Sequence, residues 1–374
     1  MKKNDKISFV CEWGADRKNC WSGTPYGVFC ALQNYYEVVD HPVKFSFFEK
    51  LLTRFKKMLR KVFKVKFDFE FEYIVRMEKH LKRLDVKDDE KAVIMFGCFN
   101  NFCIDKSYVY QDLTMSYLVD MRTKNNELIK FSPLANVTSD TYLKKTLKNE
   151  KQFYANCKGL FVMSHWLCDY MKNSGSISPD KVHFVGAGCN IDYTKLDTSK
   201  RQGNKFLFVG KDFERKNGFL VVESFKIFHE KHPDSELYII GPQSKDDCGE
   251  LGEGIVFIGR KNYTELIYYY NICDYYIMPS QFEAYGIVFE EALIFGLPCI
   301  GKNCFAMPEF INNGENGYLI DKNDKYELAN KMSALYKNQT IINNVRQKQN
   351  EYIKKYSWEA TAKRIYSIIQ ADAI

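Results

Sequence analysis

Two glutamates eight positions apart, Glu283 and Glu291, carry the most specific chemical signal in the chain. They fall in Met278–Pro298, MPSQFEAYGIVFEEALIFGLP. The pattern puts Glu283 in a loop and Glu291 inside the following helix. At 1.5 Å per residue the two stand about 12 Å apart, roughly the span from the sugar to the ribose of a sugar nucleotide. Between them the backbone N–H groups of Gly286, Ile287 and Val288 open the helix, and the positive end of its dipole suits a diphosphate. Gly286 removes the side chain that would block close approach. Spacing alone fits an acidic face on an ordinary helix equally well.

A basic loop supplies the complementary charge. Residues 206–218 read FLFVGKDFERKNG: a strand, Gly210, then Lys211, Arg215 and Lys216, then a helix opening at Gly218. This is a phosphate-binding arrangement without the G-x-x-x-x-G-K-[ST] of a P-loop. Lys211 and Lys216 can both reach a diphosphate and neutralise the charge that develops as it departs. A solvated basic loop is the plain alternative.

The elements that must position these groups follow from periodicity. In the second half short apolar runs alternate with helical stretches. Strands are expected at Phe206–Val209, Leu237–Ile240, Ile255–Ile258, Tyr275–Met278 and Pro298–Ile300, with helices at Gly218–His229, Tyr263–Tyr270 and Gly286–Phe295. The first half repeats the alternation more loosely: Ile7–Cys11, a helix from Tyr26, then Ala92–Cys98, Tyr108–Tyr110, Gly159–Ser164 and Val182–Val185. Such alternation argues for parallel sheets covered by helices on both faces. The expected architecture is α/β, with two doubly wound, Rossmann-like domains facing across a cleft, residues 1–195 and 196–357, joined through the polar stretch 196–204. Open parallel sheets bind ligands at the carboxyl ends of their strands, which is where both motifs fall.

Here a resemblance becomes specific. The run P-S-x-x-E-A-Y-G-I-V-F-E-E-A-L-x-x-G-L-P is similar to the E-x7-E signature of the retaining glycosyltransferases of family 4, also called group 1, which have the two-domain GT-B fold. The resemblance implies that Glu283 contacts the donor sugar's hydroxyls, that Glu291 contacts the ribose, and that Lys211 and Lys216 grip the leaving diphosphate. Lys211 stands where the family usually has Arg; lysine supplies charge without a bidentate fork, and Arg215 is a possible substitute. The resemblance also implies that Gly23 and Thr24, in Trp21-Ser22-Gly23-Thr24, form a loop that lets backbone approach the donor phosphates, against the alternative of a tight turn. Asp112, at the end of another strand, matches an acid near the sugar and acceptor. It would orient the acceptor hydroxyl or stabilise an oxocarbenium-like transition state, against the alternative of a helix N-cap or Asx turn. Arg260 in VFIGR falls near the nucleobase. Val162-Met163-Ser164, Gly186–Asp192 and Ser357-Trp358-Glu359 look like further landmarks, and a C-terminal helix over about 358–374 would cross back to the first domain. The similarity is strong over about 205–320 and gives no match over 40–90.

That unmatched stretch explains the charge. The chain carries +7 overall, but residues 1–195 hold 32 Lys/Arg against 23 Asp/Glu, while residues 196–374 hold 22 against 24. Lys50–Lys66, KLLTRFKKMLRKVFKVK, has eight Lys/Arg and no acid. Leu51, Leu52, Phe55, Met58, Leu59, Val62 and Phe63 recur at helical spacing, opposite Lys50, Arg54, Lys57, Lys61 and Lys64. A basic helix with an apolar face can lie on an anionic membrane surface; the alternative is a helix packed on its domain with a solvated basic side. Nucleic acid is not expected, for lack of a binding motif.

The remaining composition narrows the class. At 374 residues, 45% hydrophobic and 27% charged, the chain is neither disordered nor fibrous. No apolar run approaches the roughly 20 residues of a membrane span, and the first apolar stretch ends at Glu12, too soon for a secretion signal. The 12 cysteines include no Cys-x-x-Cys pair, and the six histidines make no cluster. Reduced structural thiols, no metal site and a cytoplasmic location, peripheral on the inner face of the membrane, are expected. The whole reading is a metal-independent retaining hexosyltransferase needing no cofactor beyond its nucleotide-sugar donor and acting on a glycan or lipid-linked acceptor in surface polysaccharide synthesis. Alternatives are a sugar-nucleotide epimerase of the same fold and a non-catalytic, membrane-docked subunit of a polysaccharide assembly.

Overall fold

The computed structural model describes residues 5–14, 16–63, 69–96, 103–124, 127–135 and 140–372. Two six-stranded, wholly parallel sheets account for the fold. The first contains β1 (Lys6–Cys11), β2 (Glu37–Pro42), β3 (Glu90–Phe96), β4 (Ser107–Gln111), β5 (Gly159–Val162) and β6 (Val182–Phe184), in the order β2-β1-β3-β4-β5-β6. The second contains β7 (Lys205–Val209), β8 (Glu236–Ile240), β9 (Ile255–Gly259), β10 (Tyr275–Ile277), β11 (Cys299–Lys302) and β12 (Gly317–Ile320), in the order β12-β11-β10-β7-β8-β9. The residues between β6 and β7 include no strand, and Leu196–Asn204 runs as irregular chain.

The strand order has a functional consequence. Chain direction across each sheet reverses at one place, between β1 and β3 in the first and between β7 and β10 in the second. Loops leaving the carboxyl ends of such neighbouring strands diverge and leave a crevice. The loops after β7 and β10 are the basic loop and the Glu283 loop. Central strands are buried on both faces and therefore read as continuous apolar runs: Phe206, Leu207 and Phe208 in β7 and Tyr275, Tyr276 and Ile277 in β10 are fully buried. Two edge strands, β2 and β12, were not expected. β2, EVVDHP, is interrupted by acids, a histidine and a proline, and β12, GYLI, is only four residues long, so neither stands out as a strand in the sequence.

The helix Trp358–Ala371 returns to the first sheet and packs on the helix Thr24–Leu32. The contact is tight enough to require glycine twice: a Cβ on Gly27 would lie 2.2 Å from the Trp358 ring, and one on Gly188 2.5 Å from the Trp358 nitrogen. Asn34 and Tyr35 both donate to Glu359 at 2.7 Å, and Arg364 Nε donates to the Val185 carbonyl at 2.6 Å.

The basic stretch forms the helix Phe47–Phe63; Lys64–Lys66 lie outside the described residues, as does Cys98. The expected alternative, an apolar face packed on the domain, does not hold. Phe48 is 78% exposed, Phe47, Leu51, Leu52, Phe55, Met58 and Val62 are all exposed, and Lys50, Arg54 and Lys57 are exposed too. The neighbouring helix Phe69–Leu81 buries Met77 and Leu81 in the core and holds Phe47–Phe63 through polar contacts, Lys56 with Glu72 at 2.7 Å and Arg76 with Thr53 at 2.6 Å. Most of the cysteines among the described residues are buried.

Candidate active site

Two adjoining hollows lie where the carboxyl ends of the two sheets meet. One, of ≈ 290 Å³, is lined by Gly210, Lys211, Arg215, Lys216, Arg260, Glu283, Gly286, Ile287, Val288 and Glu291 together with Ile240, Gly241, Tyr263 and Ser22. The other, of ≈ 270 Å³, is lined by Trp21, Ser22, Thr24, Asp112, Met163, Glu283, Tyr285, Gly286 and Ile287. Ser22, Glu283, Gly286 and Ile287 border both. Of the candidate catalytic and donor-binding residues read from sequence, only Gly23 lines neither; it lies against the Asn190 side chain.

Glu283 is the hub. Lys216 Nζ donates to its Oε2 at 2.7 Å, Ser280 Oγ at 3.3 Å and Arg215 Nη1 at 3.4 Å. Burial pushes the Glu283 carboxyl up, but the adjacent charges of Lys216 and Arg215 outweigh it and hold the group below its ordinary value. Burial likewise lowers the Lys216 ammonium, and the attraction of Glu283 offsets only part of that. The short contact makes this a charged pair. The loops are built for it. A Cβ on Gly210 would lie 2.9 Å from Lys216 Cδ, so glycine makes room for the lysine stem; Gly241, at φ +124°, packs its Cα against the Gly210 carbonyl, where a Cβ would lie at 2.4 Å. Arg215 is spent on the protein itself: Nη1 donates to the Phe282 carbonyl at 2.6 Å and Nε to Asp212 at 3.2 Å. Lys211 and Arg260 are exposed at the rim.

The helix expected at Gly286–Phe295 runs over Ile287–Ile294 with Gly286 as its N-cap at φ +99° and no side-chain cap. Its first N–H groups are therefore open between the two glutamates. Glu291 is fully buried on that helix. Tyr270 Oη donates to Oε2 at 3.1 Å, Oε1 is buried without a hydrogen bond of normal geometry, the Asn190 backbone N–H lies beside the carboxyl, and the residue lines the larger hollow. Burial raises its carboxyl to about 8. Glu290 is also buried, accepts a hydrogen bond from Tyr285 and is raised to about 8 by burial.

On the opposite wall Asp112 follows β4. It is not the helix cap: Thr114 caps Met115–Thr123 through Tyr117 N–H at 3.3 Å. Burial, then the neighbouring charge of Glu283, raises its carboxyl to about 6. Trp21 and Ser22 both take left-handed backbone (φ 45° and 55°), followed by Gly23 at φ +89°, which opens the helix Thr24–Leu32 without a side-chain cap. Two successive non-glycine residues in that region are rare and concentrate at functional sites. Sequence reasoning missed Tyr263, whose Oη donates across the cleft to the Ser22 carbonyl at 2.9 Å. It also gave no role to Trp21 or Tyr285; the latter's signal was its place inside E-A-Y-G. Among the described residues no three His, Cys, Asp or Glu side chains gather as a metal site.

Two parallel six-stranded sheets meeting at their carboxyl ends over a cleft, with a returning C-terminal helix, make this an α/β protein of the GT-B fold class. Residues 195–356, which carry β7–β12 and both glutamates, match the family described as glycosyl transferases group 1. A phosphatidyl-myo-inositol mannosyltransferase of Mycobacterium leprae is 27% identical over 196 residues, 50% of this chain and 52% of that one. A capsular polysaccharide biosynthesis glycosyltransferase of Staphylococcus aureus is 22% identical over 78% of this chain and 84% of its own. The first curated relatives are matched over about half of their length or less. An Anabaena protein solved in complex with UDP and glucose superposes with a TM-score of 0.62 over 98% of this chain and 100% of that one at 12% identity, a likeness of fold.

Proposed function

We propose that the protein is a retaining glycosyltransferase that moves a hexose from a nucleoside-diphosphate sugar to a glycan or lipid-linked acceptor of surface polysaccharide or glycolipid synthesis. One observation carries the reading: an ion-paired Glu283 and a buried Glu291 with an unpartnered oxygen flank an uncapped helix N-terminus in a single cleft. In this reading Glu283 fixes the sugar, the ribose hydroxyls satisfy Glu291 Oε1, and the diphosphate lies against the N–H groups of Ile287 and Val288. Gly210 and Gly286 give it room, and Arg260 lies toward the base. Lys216 has donors beyond the one on Glu283 and, with Lys211, stabilises the departing diphosphate; Arg215 holds Glu283 and the loop instead of the ligand. The backbone at Gly23 and Thr24 closes on the phosphates. The acceptor enters beside Asp112, and the departing phosphate oxygen takes its proton, so the sugar keeps its configuration. Lysines and helix dipole supply the positive potential, and the proposed step uses no metal ion. The named activities of the mannosyl and capsular relatives, and the UDP and glucose of the Anabaena complex, support this class of donor and acceptor.

A panel of nucleotide sugars screened for thermal stabilisation, followed by turnover assays, tests it. One sugar nucleotide should raise Tm and be consumed, and Glu283→Ala should lower kcat by about 10²–10³-fold, as loss of a transition-state contact does. Wild-type protein that neither binds nor consumes any nucleotide sugar overturns the proposal.

We further propose that the helix Phe47–Phe63 rests on the anionic inner face of the cytoplasmic membrane. The carrying observation is its exposed apolar row beside exposed Lys50, Arg54 and Lys57. No helix among the described residues is long and apolar enough to cross a membrane, so this contact would be peripheral. Liposomes containing phosphatidylserine should float the wild type, and Phe47→Ser/Phe48→Ser/Phe55→Ser should float several-fold less. Equal flotation sinks the idea.

A further inference from the structure

Asn190 belongs to the segment Gly186–Asp192; its backbone N–H lies beside the Glu291 carboxyl, but the donor and acceptor assignments give its side chain no role. Its side-chain amide is satisfied at both ends. Nδ2 donates to the Ser22 carbonyl at 2.6 Å, and Oδ1 accepts from Trp358 Nε1 at 3.0 Å. Indole N–H can only donate, so the amide has one possible orientation. The same amide lies against Gly23: a Cβ there would sit 3.0 Å from Asn190 Cγ, Nδ2 and Oδ1 alike. Gly23 is therefore constrained twice, by φ +89° and by this contact. The Ser22 carbonyl takes its second hydrogen bond from Tyr263 of the other sheet's domain, at 2.9 Å. One carbonyl in a left-handed loop thus gathers a donor from the segment after β6 and a donor from the far side of the cleft.

We infer that Asn190 is a positioning residue: anchored by Trp358, it holds Trp21–Gly23 in its left-handed conformation, so that Ser22 keeps its place where the two hollows join and Thr24 its place in the smaller one. This rests on the glycosyl-transfer reading above for its link to turnover, but the loop-holding itself does not. The position needs an acceptor for Trp358 and a donor for Ser22 on one side chain, which the asparagine amide supplies. Aspartate would keep the Trp358 bond and set a carboxylate oxygen against the Ser22 carbonyl oxygen.

The test is amide hydrogen exchange and donor kinetics on the full chain, for wild type, Asn190→Asp and Tyr263→Phe. Asn190→Asp should speed exchange of amides in residues 16–26 at least tenfold, leave β7–β12 protected as in wild type, and lower kcat/KM for the donor sugar nucleotide at least tenfold. Tyr263→Phe removes one donor without adding a charge and should act in the same direction, more weakly. Unchanged exchange at 16–26 in both variants overturns the inference whatever the activity does. Faster exchange with unchanged kcat/KM overturns its link to turnover. A wild type that consumes no sugar nucleotide fails the glycosyl-transfer reading instead, and the exchange result still decides the loop. Should Asn190→Asp not fold, Tyr263→Phe carries both measurements.

Discussion

Asp112 and Glu283 face one hollow from opposite domains, yet their environments drive their carboxyls apart. Glu283 is neutralised by Lys216 at 2.7 Å and stays ionised. Among the described residues no cation offsets it, so burial, then repulsion from Glu283, raises Asp112 to about 6. If ionised Asp112 orients the acceptor hydroxyl, the rate follows its carboxylate fraction: constant above about pH 7 and falling tenfold per unit below about pH 6. Asp112→Asn should lose that acid limb and lower kcat/KM at pH 8 by about 10²-fold, the lower range of general acid–base effects. A pH profile of kcat/KM from 5 to 8.5 checks both. An unchanged limb in Asp112→Asn assigns the titration elsewhere and leaves Asp112 a structural acid.

The helix Ile287–Ile294 carries two buried carboxyls in succession, each raised to about 8 by burial, Glu290 with Tyr285 and Glu291 with Tyr270 as hydrogen-bond donors. Ordinary glutamate titrates near 4.5, so between that value and about 8 the folded chain binds more protons than the unfolded one. Stability must then fall as pH rises through this window and level off above it, by at most about 1.4 kcal/mol per unit per group. Tm should drop between pH 6 and 9. Glu290→Gln, which keeps an acceptor for Tyr285, should shrink the drop; a drop of wild-type size would show that Glu290 is ionised at pH 6. That helix and its strand were readable in sequence, because a central strand and an apolar helix announce themselves as continuous runs. The edge strands β2 and β12 were not, since EVVDHP carries charge and a proline and GYLI is only four residues long. The two glutamates and the basic loop were readable as motifs, but their pairing was not: Lys216 and Glu283 are 67 residues apart and meet only because β7 and β10 are neighbours. Trp21 and Ser22 gave no warning of left-handed backbone, because neither is glycine, and Asn190 and Tyr263 owe their partners to chain brought together by the cleft.

At the scale of the molecule, closure is the remaining question, and one carboxylate bears on it directly. Glu309, in the turn Met307–Glu309 after β11, accepts from the N–H groups of His165 and Trp166 at 2.9 and 2.7 Å, opening the helix His165–Asn173 of the first domain. Phe305 packs beside it on Trp166 and Tyr117, with ring centroids 5.5 and 6.4 Å apart. A carboxylate on two open N–H groups at the positive end of a helix is worth about 1–2 kcal/mol. That contact joins the domains without touching either hollow. Its loss therefore shifts the balance between closed and open clefts while leaving every donor contact intact. Glu309→Ala should raise the KM for the donor by about 5–30-fold, the equilibrium equivalent of that energy, because closure would then draw on binding energy. By small-angle scattering the free variant should show a larger radius of gyration than wild type, and saturating sugar nucleotide should bring the two together. Equal radii and equal KM would mean that the aromatic contact at Phe305, the Tyr263–Ser22 hydrogen bond and the returning helix hold the domains without it, and that Glu309 is only a helix cap.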